Sequence, residues 1–293
     1  MRVTVEQIAD MALIRDEPLA SMFTLSPFVW KRERGYDLLV RAVNRSEIAT
    51  QKVARIYYGH SQDGIVFTMD EAPALAPGPQ PEDRDGCEDP TADYDAGTLY
   101  VYYTGWNQAL LAGQLMLAVG PDGRHLQKRG VSIPWTQERK NPKEATLVRA
   151  GDGTWRLFFE YAAGEASKIG IARSKRVDGP WEIQPDLFSA RPDLWDRWHL
   201  STGPIEQVNG VPTMFYNGAT HDAKWRIGWI TFDDDYTRVV DRCVDPVIVP
   251  PPPDINDTDI AFAASALEMN AGTVWLYYSI SDQYMKRATL RVS

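Results

Sequence analysis

Cysteine is scarce in this chain of 293 residues: Cys87 and Cys243 are the only two. One disulfide is arithmetically open, but two thiols do not make a disulfide scaffold. Histidine is nearly as sparse, with four residues and none at ligand spacing, so no metal or other cofactor is expected. No apolar run approaches the roughly 20 residues needed to cross a bilayer. The first residues, Met1-Arg2-Val3-Thr4-Val5-Glu6-Gln7, lack the apolar stretch of a secretory signal. A basic excess is missing too: the net charge is −9, which argues against a nucleic-acid-binding surface. These absences predict a soluble, cytoplasmic protein with no nucleic-acid or membrane partner. No feature of the sequence sets an oligomeric state.

What the chain does have is aromatic residues, among them 10 Trp and 13 Tyr. Such rings pack well in strands, and they also suit the apolar faces of sugars. They fall in a repeat. A glycine leads a short aromatic and β-branched run at Gly35-Tyr36-Asp37-Leu38-Leu39-Val40 and at Gly97-Thr98-Leu99-Tyr100-Val101-Tyr102-Tyr103. The same pattern returns at Gly153-Thr154-Trp155, Gly210-Val211-Pro212 and Gly272-Thr273-Val274, with about 56 to 62 residues between copies. Each glycine reads as a hairpin turn feeding a strand. Further apolar runs flank each copy, including Ala54–Tyr58, Gln114–Val119, Lys168–Ala172 and Trp225–Ile230.

Four strands per repeat define a propeller blade, so the expected fold is all-β: a five-bladed β-propeller with four-stranded antiparallel blades. The last copy stops after three strands. The N-terminal segment, residues 1–24, is expected to close the last blade, with a short helix over Ile8–Ile14. The proline-rich stretches Ala74–Pro81 and Val249–Pro253 then join blades within one domain spanning residues 1–293.

Aligning the copies on their glycines predicts which residues share an address at the channel mouth. Eight or nine positions upstream lie Ser26-Pro27, Glu88-Asp89, Glu144-Ala145, Ser201-Thr202 and Ala263-Ala264. Six or seven downstream lie Arg41, Thr104, Glu160, Asn217 and Ser279. Small or apolar residues would fill such places in a purely structural ring, as Ala264 does. Instead Asp89, Glu144, Glu160, Arg41 and Asn217 recur there, with Lys143 beside Glu144, and a polar centre follows. An inward carboxylate near aromatic rings suits general acid chemistry on sugars. Each residue also has a plainer reading: Glu-Asp-Pro is a common turn start, Glu144 has Lys143 and Lys140 for ion pairing, and Glu160 ends a strand.

At this point the sequence resembles glycoside hydrolase family 130, the β-mannoside phosphorylases and β-mannosidases. The resemblance runs from about Leu25 to the end. It rests on Glu88-Asp89-Pro90 (Glu-Asp-Pro-Arg in the family), Tyr216-Asn217-Gly218 (Tyr-His-Gly) and Trp225-Arg226-Ile227-Gly228 (Tyr-Arg-Ile-Gly). Lys143-Glu144, Arg41-Ala42 and Tyr277-Tyr278-Ser279-Ile280-Ser281-Asp282 add to it. It implies a five-bladed propeller that cleaves an oligosaccharide or glycoside with inversion, with Asp89 as general acid. Arg41, Lys143, Asn217, Arg226 and Asp282 fall to substrate binding. Apart from the resemblance, Trp106, Trp135, Trp195 and Trp198 are read as loop residues that either stack on sugars or cover the propeller's faces. To act as an acid at neutral pH, Asp89 needs a raised pKa.

Two departures bear on the nucleophile. Thr91 replaces the arginine after Glu-Asp-Pro, and Asn217 replaces the histidine; in the phosphorylases, basic residues of this kind hold phosphate. The expectation is therefore hydrolysis, with Glu160 or Glu144 as the base that activates water. A β-mannoside phosphorylase using inorganic phosphate as co-substrate is the first alternative, and a non-catalytic carbohydrate-binding propeller the second. A furanoside-cleaving propeller is a third, weakened by Ser26-Pro27, because those enzymes usually carry an aspartate at the start of the first blade.

Overall fold

All five repeat-leading glycines hold a positive φ, from 72° at Gly272 to 93° at Gly35. This conformation suits glycine and costs other residues. In two of the hairpins the residue before the glycine is left-handed as well: Ala96 (φ 48°) before Gly97 and Asn209 (φ 52°) before Gly210. Two consecutive positive φ values are the signature of the tight hairpin turn whose twist matches paired strands. Each strand led by one of these glycines lies second from an edge of its sheet.

The computed structural model describes residues 1–46, 48, 51–253 and 258–293. Among them helix is confined to short 3₁₀ turns such as Leu19–Ser21 and Pro81–Asp83. Among the described residues no helix is long and apolar enough to cross a membrane. The first sheet is built from β2 (Ala12–Ile14), β3 (Met22–Lys31), β4 (Tyr36–Asn44), β5 (Ala54–Ser61) and β6 (Val66–Leu75). The second holds β7 (Gly86–Asp95), β8 (Thr98–Asn107), β9 (Ala112–Gly120) and β10 (Gln127–Ile133). The third holds β11 (Lys140–Arg149), β12 (Trp155–Ala163), β13 (Ala166–Ser174) and β14 (Glu182–Gln184).

The next stretch forms two small sheets. One contains β15 (His199–Ser201), β18 (Asn217–Ala219) and β19 (Trp225–Ile227). The other contains β16 (Ile205–Val208), β17 (Val211–Met214), β20 (Ile230–Phe232) and β21 (Val239–Arg242). The final sheet joins β1 (Val3–Asp10) to β22 (Ala261–Asn270), β23 (Thr273–Ile280) and β24 (Tyr284–Val292). Successive sheets touch along their first strands, and β22 of the last sheet packs against β3 of the first.

The apolar runs now have a physical reason. In β4, Leu38 and Val40 face a core shared with Tyr277 and Met285 of the last sheet, while Leu39 faces one shared with Val101 and Tyr103 of the second. In β12, Leu157 and Phe159 pack with Tyr102 and Leu117, whereas Phe158 packs with Met214 and Ile230. Side chains alternate along a strand, so a strand covered on both faces reads as continuously apolar. Each fully buried Leu or Phe contributes about 1.5–3 kcal/mol.

Three expectations need correction. Residues 8–14 are not helical: Ile8 sits in β1, antiparallel to β24, and Ala12–Ile14 form β2, parallel to β6. The first sheet therefore has five strands rather than four. The run Trp225–Ile230 is also not one strand, because β19 and β20 belong to different sheets. The break has a cause at Gly203-Pro204. A Cβ on Gly203 would lie 1.8 Å from the Phe215 carbonyl oxygen, and Pro204 has no N–H to donate. Hydrogen bonds still cross the break, from Phe215 N to Pro204 O and from Gly228 N to Tyr216 O. Both cysteines are buried free thiols.

Candidate active site

Three first strands carry the same irregularity at the same place. In β3 the pairing jumps from Leu25↔Arg41 to Phe28↔Leu39. In β7 it jumps from Glu88↔Thr104 to Thr91↔Tyr102, and in β11 from Lys143↔Glu160 to Thr146↔Phe158. Each is a bulge in which two residues face one. The first bulge residue is left-handed every time: Ser26 (φ 50°), Asp89 (φ 49°) and Glu144 (φ 48°). None is glycine, so each carries backbone strain of about 1–3 kcal/mol, held in place by its surroundings. The Thr202 hydroxyl supports the third bulge by donating to the Glu144 carbonyl.

The bulges bring these side chains together. Ser26 Oγ donates to Asp89 Oδ1 at 2.9 Å, and Ser26 N donates to Ser279 Oγ at 2.9 Å. Arg41, from β4, reaches Asp89 Oδ1 with Nη1 at 3.0 Å and Glu88 Oε2 with Nη2 at 3.0 Å. Lys143 Nζ lies 3.4 Å from Glu160 Oε1. Arg41, Asp89, Lys143, Glu144, Glu160 and Asp282 all line one cavity of about 290 Å³. Asp89 and Glu160 are only 4% and 3% exposed. Glu160 Oε2 has no hydrogen-bond partner among the described residues. A buried carboxylate oxygen left unpaired is costly, and here it belongs to a residue on the cavity wall.

The electrostatics divide the carboxyls. Burial drives Glu144 well above the usual carboxylate range, and the negative charge of Asp89 adds to the shift. Burial acts on Asp89 too, but the Arg41 guanidinium, Lys143 and hydrogen bonds from Ser26 and Glu144 outweigh it, and Asp89 ends below its ordinary value. A raised pKa was expected at Asp89; the structure puts it on the neighbour, because Asp89 holds the arginine. The two shifts run in opposite directions, favouring the neutral form of Glu144 and the ionised form of Asp89, as expected of two interacting acids that share one site. Burial also raises Glu88 and Asp282, with Arg41 opposing in both cases. For Lys143, Glu160 is the largest influence and raises it.

Three residues expected at the site stand elsewhere. Asn217 is fully buried and occupied by backbone: its Nδ2 donates to Thr202 O at 2.6 Å, and Ala263 N donates to its Oδ1 at 2.7 Å. Arg226 pairs with Asp259 at 2.7 Å and donates to the Trp225 carbonyl. Trp106 lies in β8 rather than a loop, and its Nε1 donates to Gln108 Oε1 at 3.1 Å. None of the three lines the cavity. Residues given no role in the sequence do line it, notably Ser26, Lys52 and an apolar group that includes Phe23, Trp225 and Phe262. Glu88 completes the Arg41 clamp. The glycine alignment had placed Ser26 and Glu88 at the channel mouth without giving either a role.

No family model matches the chain. Its fold is shared with solved structures. A β-1,2-mannobiose phosphorylase from Listeria innocua superimposes with a TM-score of 0.77 at 18% identity, covering 98% of this chain and 91% of that one. A structure from the GH130 family, described as mannoside phosphorylases containing glycoside hydrolases that target β-1,2 mannosidic linkages in Candida mannan, gives 0.74 at 20% identity, over 92% and 84%. Among curated sequences, Escherichia coli sucrose-6-phosphate hydrolase is 29% identical over 173 residues, or 51% of this chain. The match spans about a third (35%) of that relative's length.

Proposed function

We propose that this protein is a divergent member of glycoside hydrolase family 130: a single five-bladed β-propeller over residues 1–293 that hydrolyses β-mannosides or related glycosides with inversion. The two small sheets then count as one interrupted blade. The observation that carries the reading is the gathering of Asp89, Glu144 and Glu160 in one cavity, where Arg41 holds Asp89 and Glu160 keeps an unpaired oxygen. The shared proton passes from the Asp89–Glu144 pair to the leaving glycosidic oxygen as the bond to the anomeric carbon breaks. A water molecule attacks that carbon from the opposite face and gives its proton to Glu160. Of the two candidate bases, Glu160 is preferred: its Oε2 is unpaired, and the environment of Glu144 favours that residue's neutral form.

Water is favoured over phosphate by the charge pattern. Arg41 is committed to Glu88 and Asp89, and Lys143 faces Glu160. Phosphate needs several free cationic donors in one cluster. A fructofuranoside substrate is the second reading, favoured by the sucrose-6-phosphate hydrolase relative; against it, the first-sheet bulge carries Ser26, whose hydroxyl is spent on Asp89. The test is product identity with β-linked manno-oligosaccharides, with and without phosphate. Mannose at a rate independent of phosphate is expected. Mannose 1-phosphate, at a rate rising with phosphate, would overturn hydrolysis, and turnover of sucrose but not mannosides would overturn the mannoside assignment.

A further inference from the structure

The cavity is two-sided. Its charged side comes from β4, β7, β11 and β12; its apolar side includes Phe23 and Leu25 of β3, Trp225 of β19 and Phe262 of β22. Trp225 is the largest apolar group on that wall, and it is held on three sides. His199 lies against the indole with ring centroids 5.8 Å apart and planes at 30°. Phe262 meets it edge-on, at 5.3 Å and 65°. Its backbone is pinned: Trp225 N donates to Asp259 O at 3.0 Å, and Arg226 ties the Trp225 carbonyl to Asp259. His199 does not line the cavity, whereas Trp225 does. The indole is therefore a braced plate with cavity on one side.

A pyranose ring has the complementary character, with hydroxyls around its edge and a face of C–H groups. We propose that Trp225 is a sugar-stacking platform, holding one ring of a substrate of two or more β-linked hexoses while the carboxyls act on the adjacent bond. The assignment rests on the glycoside-cleaving reading above. It also gives Arg226 a role: a positioning residue that acts through Trp225 rather than a substrate contact.

The test compares Trp225→Phe, which keeps a smaller flat ring, with Trp225→Leu, which keeps apolar bulk without one. Titration calorimetry with a β-linked mannobiose and with mannose is run in the Asp89→Asn background, and turnover is measured with Asp89 intact. Aromatic stacking of this kind corresponds to about a tenfold change in affinity. We expect Trp225→Leu to weaken mannobiose binding about tenfold or more and raise KM, Trp225→Phe to recover most of the loss, and free mannose to be affected much less. If mannobiose is cleaved but binds the Leu variant as tightly as the parent, the platform falls and the glycosidase reading stands. An equal loss for mannose and mannobiose would also overturn it, because the plate would then not serve a second ring. If no β-mannoside is bound or cleaved by the parent protein, both fall together.

Discussion

Arg41 Nη1 and Asp89 Oδ1 lie 3.0 Å apart, and that contact sets Asp89 apart from the neighbouring Glu144 carboxyl. The cation favours the ionised form of Asp89, whereas burial and the Asp89 charge favour the neutral form of Glu144. In the proposed mechanism the acid is therefore a pair rather than one residue.

Removing either member of the pair tests this. We expect Asp89→Asn and Glu144→Gln each to lower the rate about 10²–10⁴-fold on a mannoside with a poor leaving group. An activated aryl mannoside, whose leaving group departs without protonation, should lose far less. In the parent, activity should fall as pH rises through the raised pKa of Glu144, and Glu144→Gln should abolish that limb. Equal losses on both substrates would show that the pair is structural.

Glu160 is expected to behave differently. Glu160→Ala should lose activity on aryl and natural mannosides alike, because the attack of water is needed for both. Added azide should restore part of the rate on the aryl substrate by attacking without a base. Absence of rescue, combined with normal sugar binding, would point to Glu160 as a partner for Lys143 alone.

Asn217 should be a stability residue. Asn217→Ala strands the Ala263 amide and leaves the Thr202 carbonyl with one partner fewer. The cost is about 1–3 kcal/mol, measurable by urea unfolding. KM and kcat should stay near the parent values at temperatures where the variant is folded. A selective rise in KM would return Asn217 to substrate binding.

Asp93 offers a pH-dependent measurement away from the cavity. Burial pushes its pKa up to about 6. A carboxyl raised in the folded state favours folding most below its unfolded pKa, and that advantage is lost as pH rises through about 6. Asp93→Asn keeps the oxygen that accepts from Tyr94 N and removes the buried charge. We expect it to stabilise the protein by about 1–3 kcal/mol at pH 7.5 and by little near pH 4. A gain of the same size at both values would exclude this origin.

Much of the site was legible because the repeat is a backbone repeat. Arg41, Thr104, Glu160, Asn217 and Ser279 stand opposite Leu25, Glu88, Lys143, Ser201 and Phe262, so counting from the glycines located true structural equivalents. The count slipped by one at Glu88-Asp89, because the hairpin after β7 is shorter than those after β3 and β11. It succeeded in place but not in role at Asn217, where Gly203-Pro204 interrupts the sheet and the side chain turns to backbone partners. Arg226 and Trp225 were separated by alternation: the arginine looked like chemistry, yet the tryptophan faces the cavity. The opposite shifts of Asp89 and Glu144 were beyond reach, since they depend on which carboxyl the arginine touches.

The pairing of β1 with β24 brings Arg2 and Ser293 into mutual hydrogen bonds, Arg2 N to Ser293 O at 2.9 Å and Ser293 N to Arg2 O at 3.0 Å. Residues 2 and 293 are thus neighbours, and a short glycine-rich linker can join them. The seam of the ring is then movable: a circularly permuted chain opened at Ala96-Gly97 would keep every strand and every cavity residue, while the ends emerge beside a different sheet.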